Sequence, residues 1–263
     1  MTKAVILAGG LGTRISEETI VKPKPMVEIG GMPIIWHIMK TYSHFGIKDF
    51  VICLGYKGYV IKEFFVNYWQ HTSDITVGLK ENKITMHKSA TEDWNVTLID
   101  TGATAMTGAR LRKIKDYVKD DACFCLTYGD GVSNVNIADL VNYHKGHGKV
   151  ATLTAVKSPS RFGVLNFNQD KSGKIDSFKE KPEESRDWIN GGYFVLSPKV
   201  FDYLPEGDDL VFEQQPLQNI TKDGELMSFK HNGFWQAMDS LRDKTQLEEI
   251  CQNSKVLPWL DFS

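Results

Sequence analysis

The sequence predicts an α/β fold: a doubly wound, mainly parallel mixed sheet with a β-rich C-terminal extension. Two patterns carry the prediction. In the first half, short apolar runs alternate with stretches whose apolar residues recur at helical spacing, and such alternation builds right-handed βαβ units around a parallel sheet. In the second half, strand-like runs crowd together, which adds antiparallel or mixed strands to the sheet. The 263 residues, 41% of them hydrophobic, suffice for one large core or two closely joined ones.

The elements follow in order. Ala4-Val5-Ile6-Leu7 is an apolar run suited to a buried strand. Behind Pro33, which suits a first helical turn, Ile34, Ile35, Ile38, Met39 and Tyr42 mark one face of a helix. Asp49 to Leu54 reads as the second strand, and Ile61, Phe64, Phe65 and Tyr68 as the next amphipathic helix. A strand near Val96 to Ile99, a helix from about Thr107 to Val118 and a strand from Cys123 to Tyr128 continue the alternation. Strand-like runs then come at Ala151 to Val156, Gly163 to Phe167, Lys174 to Phe178 and Gly192 to Leu196, with Asp170-Lys171-Ser172-Gly173 as a hairpin turn. Helical patterns return near Pro198 to Tyr203, Phe212 to Thr221 and Leu241 to Cys251. No Pro-, Gly- or Ser-rich linker divides the chain, so residues 1–263 are expected to form one domain, with parts meeting near residue 150.

Ligands of such sheets sit at the carboxyl ends of strands, and two chemically loaded segments follow predicted strands. The first is Gly9-Gly10-Leu11-Gly12-Thr13-Arg14, with Pro23-Lys24-Pro25 behind it. Glycines let backbone N–H groups approach an anion, and the cations supply charge for phosphoryl oxygens. A dinucleotide fingerprint would need glycine where Ile15 stands, and a Walker-type loop would need Gly-Lys-Ser/Thr after four intervening residues, where no Lys sits. The second segment is Gly129-Asp130-Gly131. Asp130 could hold a hard cation together with substrate phosphates, or serve its own turn. Asp239 precedes a helical pattern, where an N-cap is the plain alternative. Lys181 stands in a charged turn, and Asn190-Gly191-Gly192 offers donors to sugar hydroxyls or simply turns the chain.

Composition limits the partners. With 31 Lys and Arg against 33 Asp and Glu, the net charge of −2 argues against nucleic acid and membrane surfaces. No apolar segment has the length of a membrane span, and the N-terminus runs into a strand without a signal-peptide pattern. The four cysteines form no CxxC pair, and Cys123 and Cys125 should share a core face. The expected compartment is reducing, hence cytoplasmic. His144 and His147 are spaced for one helix face and read as surface residues, and the six tryptophans, Trp235 among them, read mainly as core.

Taken together, Gly9-Gly10-Leu11-Gly12-Thr13-Arg14, Pro23-Lys24-Pro25, Asp130, Glu180-Lys181-Pro182 and Asp239 resemble the sugar-nucleotide pyrophosphorylases. These are Rossmann-like nucleoside-triphosphate:sugar-1-phosphate nucleotidyltransferases. The resemblance runs from Lys3 to about Leu247. Ser16-Glu17-Glu18, Tyr128-Gly129-Asp130-Gly131-Val132 and Gly233-Phe234-Trp235-Gln236 narrow it to the cytidylyl-transferring branch, since thymidylyl and uridylyl relatives are expected to carry a Gly-Asp-Asn type turn. It implies CTP and α-D-glucose 1-phosphate as substrates and Mg2+ as cofactor. It also implies a homo-oligomer such as a hexamer, and a product used in deoxysugar synthesis for bacterial surface polysaccharide.

Carried over residue by residue, the resemblance implies that Leu7, Ala8, Gly9, Gly10, Leu11, Gly12 and Thr13 embrace the nucleotide, with Arg110 and Gly129 as further contacts. Arg14 would neutralise the leaving diphosphate, and Lys24 would sit by the α-phosphate. Asp130 and Asp239 would bind Mg2+. Lys181 would meet the sugar phosphate, with Glu180, Asn190 and Gly191 near the hexose. Residues 1–150 would then hold the nucleotide and 151–263 the sugar phosphate. Two alternatives stay open: the same chemistry with UTP, dTTP or another hexose, and a non-catalytic nucleotide-sugar sensor.

Overall fold

Ala4–Ala8 forms an interior strand of the main sheet, β1, and all five of its residues are buried. Its side chains divide by alternation: Ala4, Ile6 and Ala8 enter one core, Val5 and Leu7 the other. A strand covered on both faces has no solvent side, which is why the run is continuously apolar. The computed structural model describes residues 2–157, 164–167, 175–179 and 188–262.

β1 pairs in parallel with β2 (Asp49–Leu54), and β2 with β3 (Asn95–Asp100). On its other side β1 pairs in parallel with β4 (Phe124–Tyr128). Beyond it the sheet changes sense: β6 (Trp188–Leu196) is antiparallel to β4 and to β5 (Ala151–Lys157), and β7 (Leu226–His231) lies parallel to β5. The spatial order is β7-β5-β6-β4-β1-β2-β3. The doubly wound, mainly parallel sheet and its mixed extension are as expected, and one sheet runs through both halves of the chain.

The helix after Pro33 is α1 (Ile34–His44), with Pro33 itself at the N-cap. Two expected helices are broken. Gly58–Val66 is separated from Tyr68–His71 at Asn67, and Thr107–Lys113 from Lys115–Val118 at Ile114. Both junction residues have φ near −100° and ψ near 0°, which turns the backbone out of the helix. Cys123 and Cys125 join the same core, as expected, and all four cysteines are free.

Three features depart from the expectations. An antiparallel hairpin, Ser73–Gly78 with Lys83–Ser89, lies outside the main sheet. A helix spans Ile137–His147, and its His144 is 3% exposed rather than a surface residue. The reason is a partner on β5: His144 Nδ1 and His147 Nε2 meet Thr152 Oγ1 at 2.9 and 2.8 Å, leaving His147 half-buried. Third, Gly131–Ser133 pairs antiparallel with Trp235–Ala237. Among the described residues no helix is long and apolar enough to cross a membrane.

Candidate active site

The loop after β1 is shaped by two different constraints. Gly12 has φ +65°, in the left-handed region, and its carbonyl accepts from Ile15 N–H and Thr19 Oγ1, both at 3.0 Å. Any β-carbon there would also stand 2.7 Å from Thr19 Cγ2. Gly9 answers to a neighbour instead: a β-carbon on it would lie 2.1 Å from Arg110 Cζ. Gly10 has open space around that position, the room an incoming ligand needs.

Arg110 is only 4% exposed. Its Nη1 donates to Leu54 O at 2.9 Å, Thr101 Oγ1 at 2.7 Å and Gly102 O at 2.8 Å, and its Nη2 to Gly9 O at 2.9 Å. Burial pulls its pKa down, yet a guanidinium stays charged. The side chain expected to touch nucleotide thus sits beneath the loop and ties the ends of β1 and β2 to the turn after β3.

Pro23-Lys24-Pro25 leads into a short 3-10 turn, Lys24–Met26. Pro25 packs against Gly129, whose missing β-carbon would come within 2.9 Å of Pro25 Cγ. That contact brings Lys24 to the carboxyl end of β4, where Nζ donates to Asp130 Oδ2 at 2.7 Å and to Asp239 Oδ1 at 2.8 Å. Arg14 Nη1 reaches Asp239 Oδ2 at 3.1 Å, with the Arg14 side chain 74% exposed. Burial would lower the pKa of Lys24, but Asp130 and Asp239 together hold it above the usual lysine value.

The two carboxylates come from segments distant in sequence and are joined by backbone. In the small ladder Gly131 is opposite Ala237, and Met238 N–H donates to Asp130 O at 2.8 Å. Asp239 is not the N-cap of Leu241–Asn253; Ser240 is, in a reciprocal capping box with Asp243. Asp243 Oδ2 also accepts the Asp239 N–H at 3.0 Å. Convergence of both carboxylates on one ammonium marks a cation position, and a hard divalent ion could take these two ligands plus substrate phosphates. No cluster of three or more His, Cys, Asp or Glu able to hold a metal occurs among the described residues.

Beside Asp130 opens a cleft lined by Tyr128, Asn190, Gly191, Gly192 and Trp235. Trp235, partly buried and packed against the core, also forms a wall of this cleft, its Nε1 donating to Gly191 O at 2.7 Å. Asn190 and Gly191, singled out in the sequence, are both here. Tyr128 and Glu213, which hydrogen-bond each other, were not singled out. Tyr128 could have been found from its place at a strand end before Gly129-Asp130; Glu213 carries no sequence signal. Glu180, Lys181 and the Asp170–Gly173 turn lie outside the described residues, though the flanking strands Val164–Phe167 and Ile175–Lys179 pair antiparallel.

Comparison with known proteins identifies the family. The nucleotidyl transferase family profile matches residues 3–246. Glucose-1-phosphate cytidylyltransferase of Salmonella typhimurium is 57% identical over 257 residues, 98% of each chain. Mannose-1-phosphate guanyltransferase of Aspergillus oryzae is 30% identical, over 97% of this chain and 67% of its own. The crystal structure of HddC from Yersinia pseudotuberculosis superposes with a TM-score of 0.69 at 23% identity, over 95% of this chain and 99% of that one, a likeness of fold. The chain belongs to the nucleotidyl transferase family.

Proposed function

We propose that this nucleotidyltransferase joins CTP and α-D-glucose 1-phosphate into CDP-glucose and diphosphate. The observation that carries the proposal is the meeting of Lys24, Asp130, Asp239 and Arg14 at the mouth of the Gly9–Arg14 loop. The 57% identity to a glucose-1-phosphate cytidylyltransferase over nearly the whole chain supports the choice of substrates.

In this reading a phosphate oxygen of the sugar phosphate attacks the α-phosphorus of CTP, and the bond to the β-phosphate breaks to release diphosphate. The sugar phosphate is already anionic near neutral pH, so no general base is required. The protein's work is in-line positioning and charge neutralisation. The backbone of Leu7 to Thr13 and Gly129 receives the nucleotide, and Arg110 shapes that loop from below. Lys24 faces the α-phosphate and Arg14 the leaving diphosphate. Asn190 and Gly191 meet the hexose, with Glu180 and Lys181 assigned to the sugar phosphate by resemblance.

Members of the family generally use a divalent metal, which we assign as Mg2+ held by Asp130 and Asp239. When bound it would neutralise charge on the phosphoryl oxygens. The division of labour places the nucleotide with residues 1–150 and the sugar phosphate with 151–263. A homo-oligomer in the cytoplasm completes the reading, the latter supported by four free cysteines.

The deciding experiment crosses CTP, UTP, dTTP and GTP with several hexose 1-phosphates and measures turnover. CTP with glucose 1-phosphate should give the highest kcat/KM. A higher value for dTTP would overturn the cytidylyl assignment and leave nucleotidyl transfer standing. No turnover with any pair would favour a sensor.

A further inference from the structure

The hydroxyl proton of Tyr128 has one direction open to it. The Tyr128 hydroxyl meets a carboxylate oxygen of Glu213, and a carboxylate only accepts, so the phenol donates. The other Glu213 oxygen takes the Thr107 hydroxyl at 2.6 Å, and Thr107 Oγ1 is held in turn by the Phe212 N–H at 2.9 Å. With its proton committed to Glu213, the Tyr128 oxygen is left as an acceptor, and Asn190 Nδ2 donates to it at 3.3 Å. Asn190 is held from its other end as well, because its Oδ1 accepts the Gly192 N–H at 2.8 Å. Every bond from Gly192 to Glu213 therefore runs in one sense.

Tyr128, Asn190 and Gly191 line the cleft beside Asp130, and Glu213 does not. We propose that Glu213 is a positioning residue for sugar recognition: by fixing the Tyr128 hydroxyl it fixes the Asn190 carboxamide, whose second N–H is then offered to a hexose hydroxyl. The inference rests on reading that cleft as the sugar-phosphate site. Glu213 acts without touching the sugar, and its negative charge matters because it forces the phenol to donate away from the cleft. A neutral amide in its place can itself donate to Tyr128, which releases the phenol proton toward Asn190 and removes the bias on the carboxamide.

The test is steady-state kinetics on Glu213→Gln, Glu213→Asp, Tyr128→Phe and the double variant Tyr128→Phe/Glu213→Gln, each checked for an intact fold by thermal unfolding. Glu213→Gln keeps the size of the side chain and an oxygen for Thr107. Its KM for glucose 1-phosphate should rise about tenfold, the worth of one well-placed hydrogen bond. KM for CTP should stay within about twofold, and kcat should fall less than KM rises. Glu213→Asp, still acceptor-only, should recover part of the loss. Tyr128→Phe should behave as Glu213→Gln does, and the double variant should be no worse than Tyr128→Phe alone, since both act through one contact.

Deoxyglucose 1-phosphates supply the readout that a purely structural role would not move. The parent enzyme should discriminate against the analogue lacking the hydroxyl that Asn190 reads, and Glu213→Gln should lose that discrimination. Unchanged KM for glucose 1-phosphate in Glu213→Gln and Tyr128→Phe, or additive losses in the double variant, would overturn the proposal. Failure of the parent enzyme to turn over CTP with glucose 1-phosphate would overturn the substrate reading instead. The same KM comparison on the hexose 1-phosphate the parent does accept would still decide Glu213.

Discussion

Arg110 fills the space in which a β-carbon on Gly9 would stand, its Cζ 2.1 Å from that position. The glycine of the loop and the arginine of a distant helix are therefore one packing unit, and the loop's backbone is set from below. Gly9→Ala should push the guanidinium away from the carbonyls of Gly9, Leu54 and Gly102, to which it donates. The expected cost is about 2–4 kcal/mol of stability, from overpacking and lost hydrogen bonds to a charged donor, with KM for the nucleotide raised. Denaturant unfolding checks this, and parental stability in Gly9→Ala would show that Arg110 does not brace the loop.

A second prediction concerns Lys24, whose ammonium lies between Asp130 and Asp239. Lys24→Ala should cut kcat by about a hundredfold or more with both substrates saturating, as loss of transition-state charge stabilisation does. It also removes the ammonium that Asp130 and Asp239 share, while Asp239 keeps its contact with Arg14. Mg2+ alone should then raise the unfolding temperature of Lys24→Ala more than that of the parent protein, since a ligand stabilises by its affinity for the folded state. Asp130→Asn and Asp239→Asn should each abolish that added stabilisation and most turnover. Equal Mg2+ responses in Lys24→Ala and parent would separate the metal from this carboxylate pair.

How much of this was legible in the sequence depends on where each feature's cause lies. The β1 run was legible because a strand buried on both faces must be apolar throughout. The Ser73–Gly78 strand was not, since it is mostly exposed and outside both cores, so only Ile75 and Val77 alternate with polar neighbours, too short a pattern to stand out. Lys24 and Asp130 were legible as motifs, but their meeting with Asp239 depends on a small ladder between Gly131–Ser133 and Trp235–Ala237. No local pattern encodes that pairing. Glu213 was invisible for the same reason: its partners Tyr128 and Thr107 are brought to it by tertiary structure alone.

The histidine pair shows the same limit and gives a pH prediction. Burial, then the neighbouring His147 and Lys145, pull His144 down to about pKa 4, and burial lowers His37 as well. A histidine whose folded pKa is below its unfolded value near 6.5 stabilises the neutral-histidine fold fully above that pH. The contribution is lost as pH falls from 6.5 toward 4. For His144 the loss should reach about 2 kcal/mol by pH 5. His144→Gln, which can still bond Thr152, should lose less stability than the parent between pH 7.5 and pH 5. Parallel losses in the two proteins would clear His144 of any part in acid sensitivity.

The final prediction separates the position of Asp239 from its charge. Asp243 Oδ2 accepts the backbone N–H groups of Asp239 and Ser240, at 3.0 and 2.8 Å, and the Ser240 hydroxyl at 2.9 Å. The cap of the last long helix thereby fixes the backbone from which Asp239 projects toward Lys24. Ser240→Ala removes one capping hydroxyl and should cost about 1 kcal/mol of stability. Asp243→Ala leaves the Asp239 N–H without its carboxylate partner and should cost about 1–2 kcal/mol. Because Asp239 itself is intact, its charge remains and only its placement loosens. Asp243→Ala should therefore need several-fold more Mg2+ for half-maximal activity, with KM for both substrates near parental at saturating metal. A variant that is destabilised yet keeps the parental Mg2+ requirement would show that the cap holds the helix without aiming the carboxylate.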